Sequence, residues 1–391
     1  MKLLNKNIIC AFFKTNYCLV FILSLLVAVD TFTKFYLNSN MNFSWAGKVI
    51  ISILLFACLY LFNKRIFVLV AILFWMISFG MALNFQNDFI EKVSLFFEYV
   101  SGIMFFNFLI VNNNKNLLFK ILLIIFTFYT VTVLTAWLFE IDYLRTYNAL
   151  RFGYMPLFSS QNEFSFIMIA IVVFYYKNWL RKKKFYSFLL LFLSLAASLI
   201  IGTKVIYIFL VVFVNCILMF NFHFKKIILF YVLLIITLFY FKDYLFLFLE
   251  NKFEIFVDLY HEKGLLDTIS SLRVSFLQDR LICQTSNMNH VEYLFGGMTI
   301  PCLTEMSFFD IFLFFGCVGG FMYCYLYLKL VLKKLSLDLF GLVFISTITT
   351  LSMLAGYYFE NFSSQIYTIS VLFIFYYKPT ITPSQNTNKK V

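Results

Sequence analysis

Apolar residues along this chain gather into twelve long runs separated by short polar stretches. They fall at about 17–37, 45–62, 66–85, 93–111, 117–139, 161–177, 185–201, 205–221, 227–249, 307–328, 338–356 and 365–377. A helix crosses the hydrocarbon core of a bilayer in about 20 apolar residues, whereas a barrel strand needs only about 10. Lipid offers no partner to an unpaired backbone group, so runs of this length predict helices. The pattern predicts an all-α polytopic membrane protein, one integral-membrane domain over 1–391 with about 12 transmembrane helices. Two longer polar-containing segments, 140–160 and 242–306, predict a shorter and a larger loop on one face.

Composition agrees with this arithmetic. Of 391 residues 62% are hydrophobic and 13% charged, where soluble domains run near half apolar and a quarter charged. A separate soluble domain, a coiled coil, a disordered chain and a basic nucleic-acid-binding domain are excluded. The first run follows Lys2, Lys6 and Lys14 and ends in Asp30-Thr-Phe-Thr-Lys34 without a small-residue cleavage site, which predicts an uncleaved anchor.

The net charge of +12 resolves once the loops are assigned to sides. With the N-terminus cytoplasmic, 20 of the 31 basic residues, including Arg181-Lys182-Lys183-Lys184, fall on the cytoplasmic face with a single acid, Asp338. That is +19 on one side and −7 elsewhere, the bias that orients membrane helices. Twelve spans return the Lys-rich C-terminus to the cytoplasm, so both termini are predicted there. The basic excess is thus orientation signal and contact for anionic membrane lipids, with no nucleic-acid partner implied.

Lysine follows the bias, with 18 of 25 cytoplasmic, but arginine does not: four of six, Arg145, Arg151, Arg273 and Arg280, lie outside. A guanidinium offers a planar fork for phosphate or carboxylate. These arginines therefore either bind an anionic ligand or pair with nearby acids such as Asp142 and Asp279. Leu265–Gln284 carries apolar residues at helical spacing (Leu265, Ile269, Leu272, Phe276, Leu277) and sets Arg273 and Arg280 seven apart on one face. With the amphipathic stretch Tyr244–Tyr260, it predicts helices lying at the membrane surface. Glu305 and Asp310 stand at the entry to the tenth run. Asp310 there is either a chemical acid or a helix N-terminal acid favoured by the macrodipole. Cys283 and Cys302 share the large loop, where an oxidising compartment would let them pair. His223, His261 and His290 lack ligand spacing, so no metal and no cofactor are expected.

Several short motifs resemble the bacterial O-antigen polymerase and O-antigen ligase superfamily of membrane glycosyltransferases. Arg151-Phe-Gly153 followed by Ser160-Gln-Asn162-Glu163 is similar to its Arg…Gly…Asn segment, and Ile201-Gly-Thr-Lys204 to its Gly-Ser-Arg turn. Arg280 followed by Leu294-Phe-Gly-Gly297 is similar to the arginine–glycine spacing of the polymerases' periplasmic loop. Glu305 to Gly316-Cys-Val-Gly319 resembles the acidic Glu-x-Asp-x-x-Asp entry to a Gly-x-x-Gly helix, with Ser307 in place of the middle acid. No glycine follows Arg151 eleven positions on, where Asn162 stands. Glu305 occupies the position of the ligases' histidine.

The resemblance implies a metal-independent, inverting polymerase of undecaprenyl-diphosphate-linked repeat units at the periplasmic face of the bacterial inner membrane. It implies that Arg151, Asn162, Lys204, Arg273 and Arg280 hold the diphosphate, that Glu305 with Asp310 supplies the acid–base group, and that a chain-length regulator is a partner. The alternatives are a ligase acting on lipid A core and a flippase for lipid-linked oligosaccharide.

Overall fold

The computed structural model describes residues 10–35, 43–84, 89–146, 152–158, 160–221, 273–288, 290–297, 303–356 and 358–379, with short pieces between 231 and 264. The described residues are helical, with two isolated bridges and no strand among them. The helices are α1 (Asn16–Phe35), α2 (Phe43–Phe62), α3 (Lys64–Asn84), α4 (Phe89–Asn112), α5 (Lys115–Leu138), α6 (Gln161–Lys182), α7 (Phe185–Ile200), α8 (Lys204–Asn221), α9 (Arg273–Asn287), α10 (His290–Phe295), α11 (Ser307–Leu330), α12 (Leu339–Ala355) and α13 (Phe362–Tyr376). Eleven of these coincide with eleven of the twelve apolar runs. The run at 227–249, the stretch 244–260, residues 265–272, Arg151 and Cys302 lie wholly or largely outside the described residues. Among the described residues five helices are long and apolar enough to cross a membrane: the ones at Asn16–Lys34, Ile90–Asn112, Lys115–Leu138, Gln161–Lys182 and Ser307–Lys334.

Burial orders the bundle. α6 is covered on every side from Phe164 to Tyr176, and α13 is buried along nearly its whole length. A helix apolar all round belongs inside, and here α6 and α13 pack on each other and on α4, α7 and α8. α1, α2, α3 and α12 show exposed Phe21, Ile53, Trp75 and Leu342, the side chains that a bilayer would cover. Ring contacts such as Tyr99–Phe314, Tyr129–Tyr367 and Phe126–Phe174 fill the centre.

Loops that the charge pattern assigns to one side meet one another. At the predicted cytoplasmic end Lys177 binds Asp338 at 2.6 Å, Asn112 donates to the Thr15 carbonyl, and Lys115 donates to the Tyr377 carbonyl. At the opposite end, which the charge pattern predicts to face outward, Tyr143 donates to the Lys34 carbonyl and Ser363 donates to Asp30. Asp338, the single acid on the predicted cytoplasmic face, also caps α12 by accepting from the Gly341 amide.

Candidate functional site

The helices meet at two joints where backbones touch without side chains between them, and both are built from the glycines of the motifs. In the first, Gly153 packs on Gly202: a Cβ on Gly153 would lie 2.3 Å from the Ile201 oxygen, and one on Gly202 would lie 2.0 Å from the Phe152 oxygen. The Tyr154 amide donates to the Ile200 carbonyl, and Ser165 and Thr203 share a hydrogen bond of 2.8 Å. These ties set the starts of α6 and α8 side by side, with Asn162 in the first turn of one and Lys204 opening the other. Ser160 caps α6 through the Glu163 amide. Two helix N-termini presented together carry partial positive charge at this joint.

In the second joint, the turn after α10 wedges into α11. Gly316 breaks α11 with φ 70° and ψ 174°, a conformation nearly confined to glycine. A Cβ there would lie 2.4 Å from the Gly296 nitrogen, and one on Gly296 would lie 2.0 Å from the Phe314 oxygen. The Gly297 amide donates to the Phe314 carbonyl, and Lys92 of α4 donates to the Gly297 carbonyl. Gly80 of α3 packs against the Gly296 oxygen from the other side.

Beside this joint stand the acids. Arg273, the first residue of α9, contacts Glu305 Oε2 through Nη2 at 3.0 Å and Nε at 3.2 Å. The Arg273 side chain is 11% exposed and that of Glu305 is 42% exposed, so the pair is open on its acidic side. Glu305 has φ 59°, a left-handed conformation that costs a non-glycine residue about 1–2 kcal/mol. Gly356, at the end of α12, lies against its carbonyl: a Cβ on Gly356 would lie 2.1 Å from the Glu305 oxygen. Asp310 is buried, and its Oδ1 accepts from the Thr304 amide at 2.8 Å and the Thr304 hydroxyl at 2.9 Å. Asp310 therefore ties down the helix entry, while Glu305 faces outward.

Arg280 lies exposed two turns beyond Arg273 on the same helix, as their spacing predicts. Phe276 and Ile282 of α9 are exposed, which suits a helix resting on a lipid surface. Cys283 is engaged in a disulfide.

Two groups of polar side chains were not singled out in the sequence. Glu360, in the turn between α12 and α13, accepts from Ser307 Oγ at 2.6 Å and from the Tyr99 hydroxyl at 3.3 Å, and Ser352 donates to Ser307 at 2.7 Å. Burial pushes the Glu360 carboxyl up to about 7; neighbouring Asp310 adds to the rise, and the Ser307 hydroxyl opposes it. The second group joins Lys48 of α2 and Glu98 of α4, 3.4 Å apart, with Asp30 of α1 and Glu163 of α6 in electrostatic range. The start of α13 links both groups: Ser363 donates to Asp30, and Gln365 donates to the Glu98 and Phe359 carbonyls. Asp30 and Glu98 sit within apolar runs, and charged residues there are costly. That cost is the signal by which the sequence marks this group. Among the described residues no set of three His, Cys, Asp or Glu side chains is arranged to hold a metal ion.

Comparison with protein-family models, curated proteins and solved structures finds no match for the chain.

Proposed function

We propose that the protein is a polymerase of lipid-linked oligosaccharide repeat units, working at the periplasmic face of the bacterial inner membrane with both termini in the cytoplasm. The observation that carries this reading is the Arg273–Glu305 pair. A cation suited to a diphosphate and a partly exposed carboxylate stand within one hydrogen bond, at the end of the bundle that the charge pattern assigns to the periplasm.

In the reaction, Arg273 and Arg280, with Arg151 and Lys204, hold the diphosphate of an undecaprenyl-linked glycan, and Asn162 contributes at the start of α6. Positive charge acts most strongly where negative charge grows in the transition state. Here that is the diphosphate oxygen, as its bond to the anomeric carbon breaks. Glu305 takes the proton from the acceptor sugar hydroxyl, whose oxygen forms the new bond from the opposite face and inverts the anomeric centre. The products are a longer lipid-linked glycan, undecaprenyl diphosphate and the proton held by Glu305. Asp310 acts through the shape of the helix entry. A chain-length regulator and the membrane lipids are the partners expected of this activity.

The disulfide at Cys283 supports the orientation, because such bonds persist in oxidising compartments. Glu305, in the place of the ligases' histidine, favours polymerase over ligase. The break in α11 at Gly316 is a feature that transporters also use. In this chain the freed Phe314 carbonyl is taken up by the Gly297 amide, which favours a packing joint over a substrate-coordinating gap.

Deleting the gene is expected to leave lipopolysaccharide capped with a single repeat unit, read as collapse of the gel ladder to one band above core. Bare core with glycan accumulating on the carrier supports the ligase instead. An unchanged ladder contradicts the reading.

A further inference from the structure

Ser307 stands where the resembled acidic motif carries its middle acid, so the chain is one carboxylate short in sequence. It is not short in space. Glu360 arrives from a turn 53 residues downstream and places Oε2 2.6 Å from Ser307 Oγ. We propose that Glu360 is a positioning residue of the Glu305 site, supplying from the α12–α13 turn the negative charge that residue 307 lacks. This inference rests on the polymerase reading.

The arrangement around Glu360 fits that task. Ser307 spends its hydroxyl proton on Glu360 and accepts one hydrogen bond from Ser352, so the first residue of α11 is fixed from two sides. Glu360 also takes the Tyr99 hydroxyl of α4. The turn that carries Glu360 follows Gly356, whose Cα lies against the Glu305 carbonyl. One short segment therefore supports both Glu305 and Ser307. The ionisable groups facing Glu360 are Tyr99 from α4 and Asp310 and Tyr323 from α11. Burial, with acidic Asp310 beside it, pushes the Glu360 carboxyl up to about 7. The charged form is the one that replaces the missing acid, so chain growth rises as external pH passes upward through about 7.

The test compares lipopolysaccharide ladders from cells expressing wild type, Glu360→Gln, Ser307→Asp and the double variant, grown in media spanning neutral pH. Membrane abundance and thermal unfolding in detergent are measured for each. Glu360→Gln is expected to cut material longer than one repeat about 10²-fold, the scale of a misplacement of about 1 Å at a reacting group, and to remove the pH response from what remains. Ser307→Asp combined with Glu360→Gln is expected to recover most of the lost chain length, because it returns the charge to residue 307.

A wild-type ladder and pH response in Glu360→Gln overturns the proposal. Loss without recovery in the double variant, at normal abundance and unfolding temperature, overturns it as well. Loss that tracks a fall in abundance in both variants also does so, since Glu360 is then only a folding residue. These failures are separable from failure of the polymerase reading. If gene deletion leaves the ladder intact, that reading falls; if deletion collapses the ladder and Glu360→Gln does not, only the role of Glu360 falls.

Discussion

Gly316→Ala is expected to cost more than about 3 kcal/mol and to leave little folded protein in the membrane. Two penalties combine. The φ 70°, ψ 174° conformation of Gly316 lies in a region essentially reserved for glycine, costing about 1–3 kcal/mol for any other residue. The added methyl also meets backbone rather than side chain: Gly296 nitrogen at 2.4 Å and the Leu294 carbonyl carbon and oxygen at 2.5 Å. Backbone in a wedged turn has no rotamer with which to yield, so overpacking is added to the conformational cost. The neighbouring Gly319 provides the control. A methyl there meets the Phe315 Cβ at 3.2 Å and other side-chain atoms at 3.8 Å and beyond, so Gly319→Ala is expected to fold with a small loss. Thermal unfolding of both variants in detergent, with membrane abundance, checks the contrast. Equal behaviour of the two would contradict the joint as described.

Arg273→Ala is expected to abolish glycan chains longer than one repeat while the protein stays in the membrane at its usual level. Removing a single preorganised group that stabilises transition-state charge costs about 10²–10³ in rate. In the proposed reaction Arg273 has two such roles: it would offer the guanidinium to the diphosphate, and it holds Glu305 through two contacts to one oxygen. Arg273→Lys keeps the charge but loses the fork, and is expected to fall between wild type and Arg273→Ala. Because Glu305 is 42% exposed, the ion pair itself contributes little to stability once solvent screening is counted. Unfolding temperature is therefore expected to move little while chain length collapses. A matched fall in both would make Arg273 a structural residue.

Much of the fold was legible because lipid forces a simple code on the chain. Apolar runs coincide with helix after helix, and the side-by-side meeting of Lys177 with Asp338 follows from charges sorted by loop. The glycine motifs were visible as motifs, but their purpose was not. That Gly153 meets Gly202, and Gly296 meets Gly316, is a fact about close approach between segments 49 and 20 residues apart, and sequence spacing carries no information about it. Arg273 and Glu305 were each identifiable from residue type and position, though their pairing was not. For Asp310 the sequence leaves two readings open, a chemical acid or a helix N-terminal acid, and its two bonds from Thr304, a contact within the helix entry, are invisible in residue spacing. Glu360 went unnoticed because a lone acid ahead of Asn361 looks like an ordinary helix entry, which in part it is: Asn361 caps α13. The Asp30, Lys48, Glu98 and Glu163 group was findable, since acids inside apolar runs are rare enough to demand partners.

The most direct test of the central claim is reconstitution of the purified full chain in lipid vesicles with undecaprenyl-diphosphate-linked repeat units as the sole glycan, without nucleotide sugar. The account predicts lipid-linked products rising in whole-repeat steps, with one undecaprenyl diphosphate released per step, and no such products from Arg273→Ala. Vesicles in which the repeat units are left unextended, or are only carried across the bilayer, would contradict it.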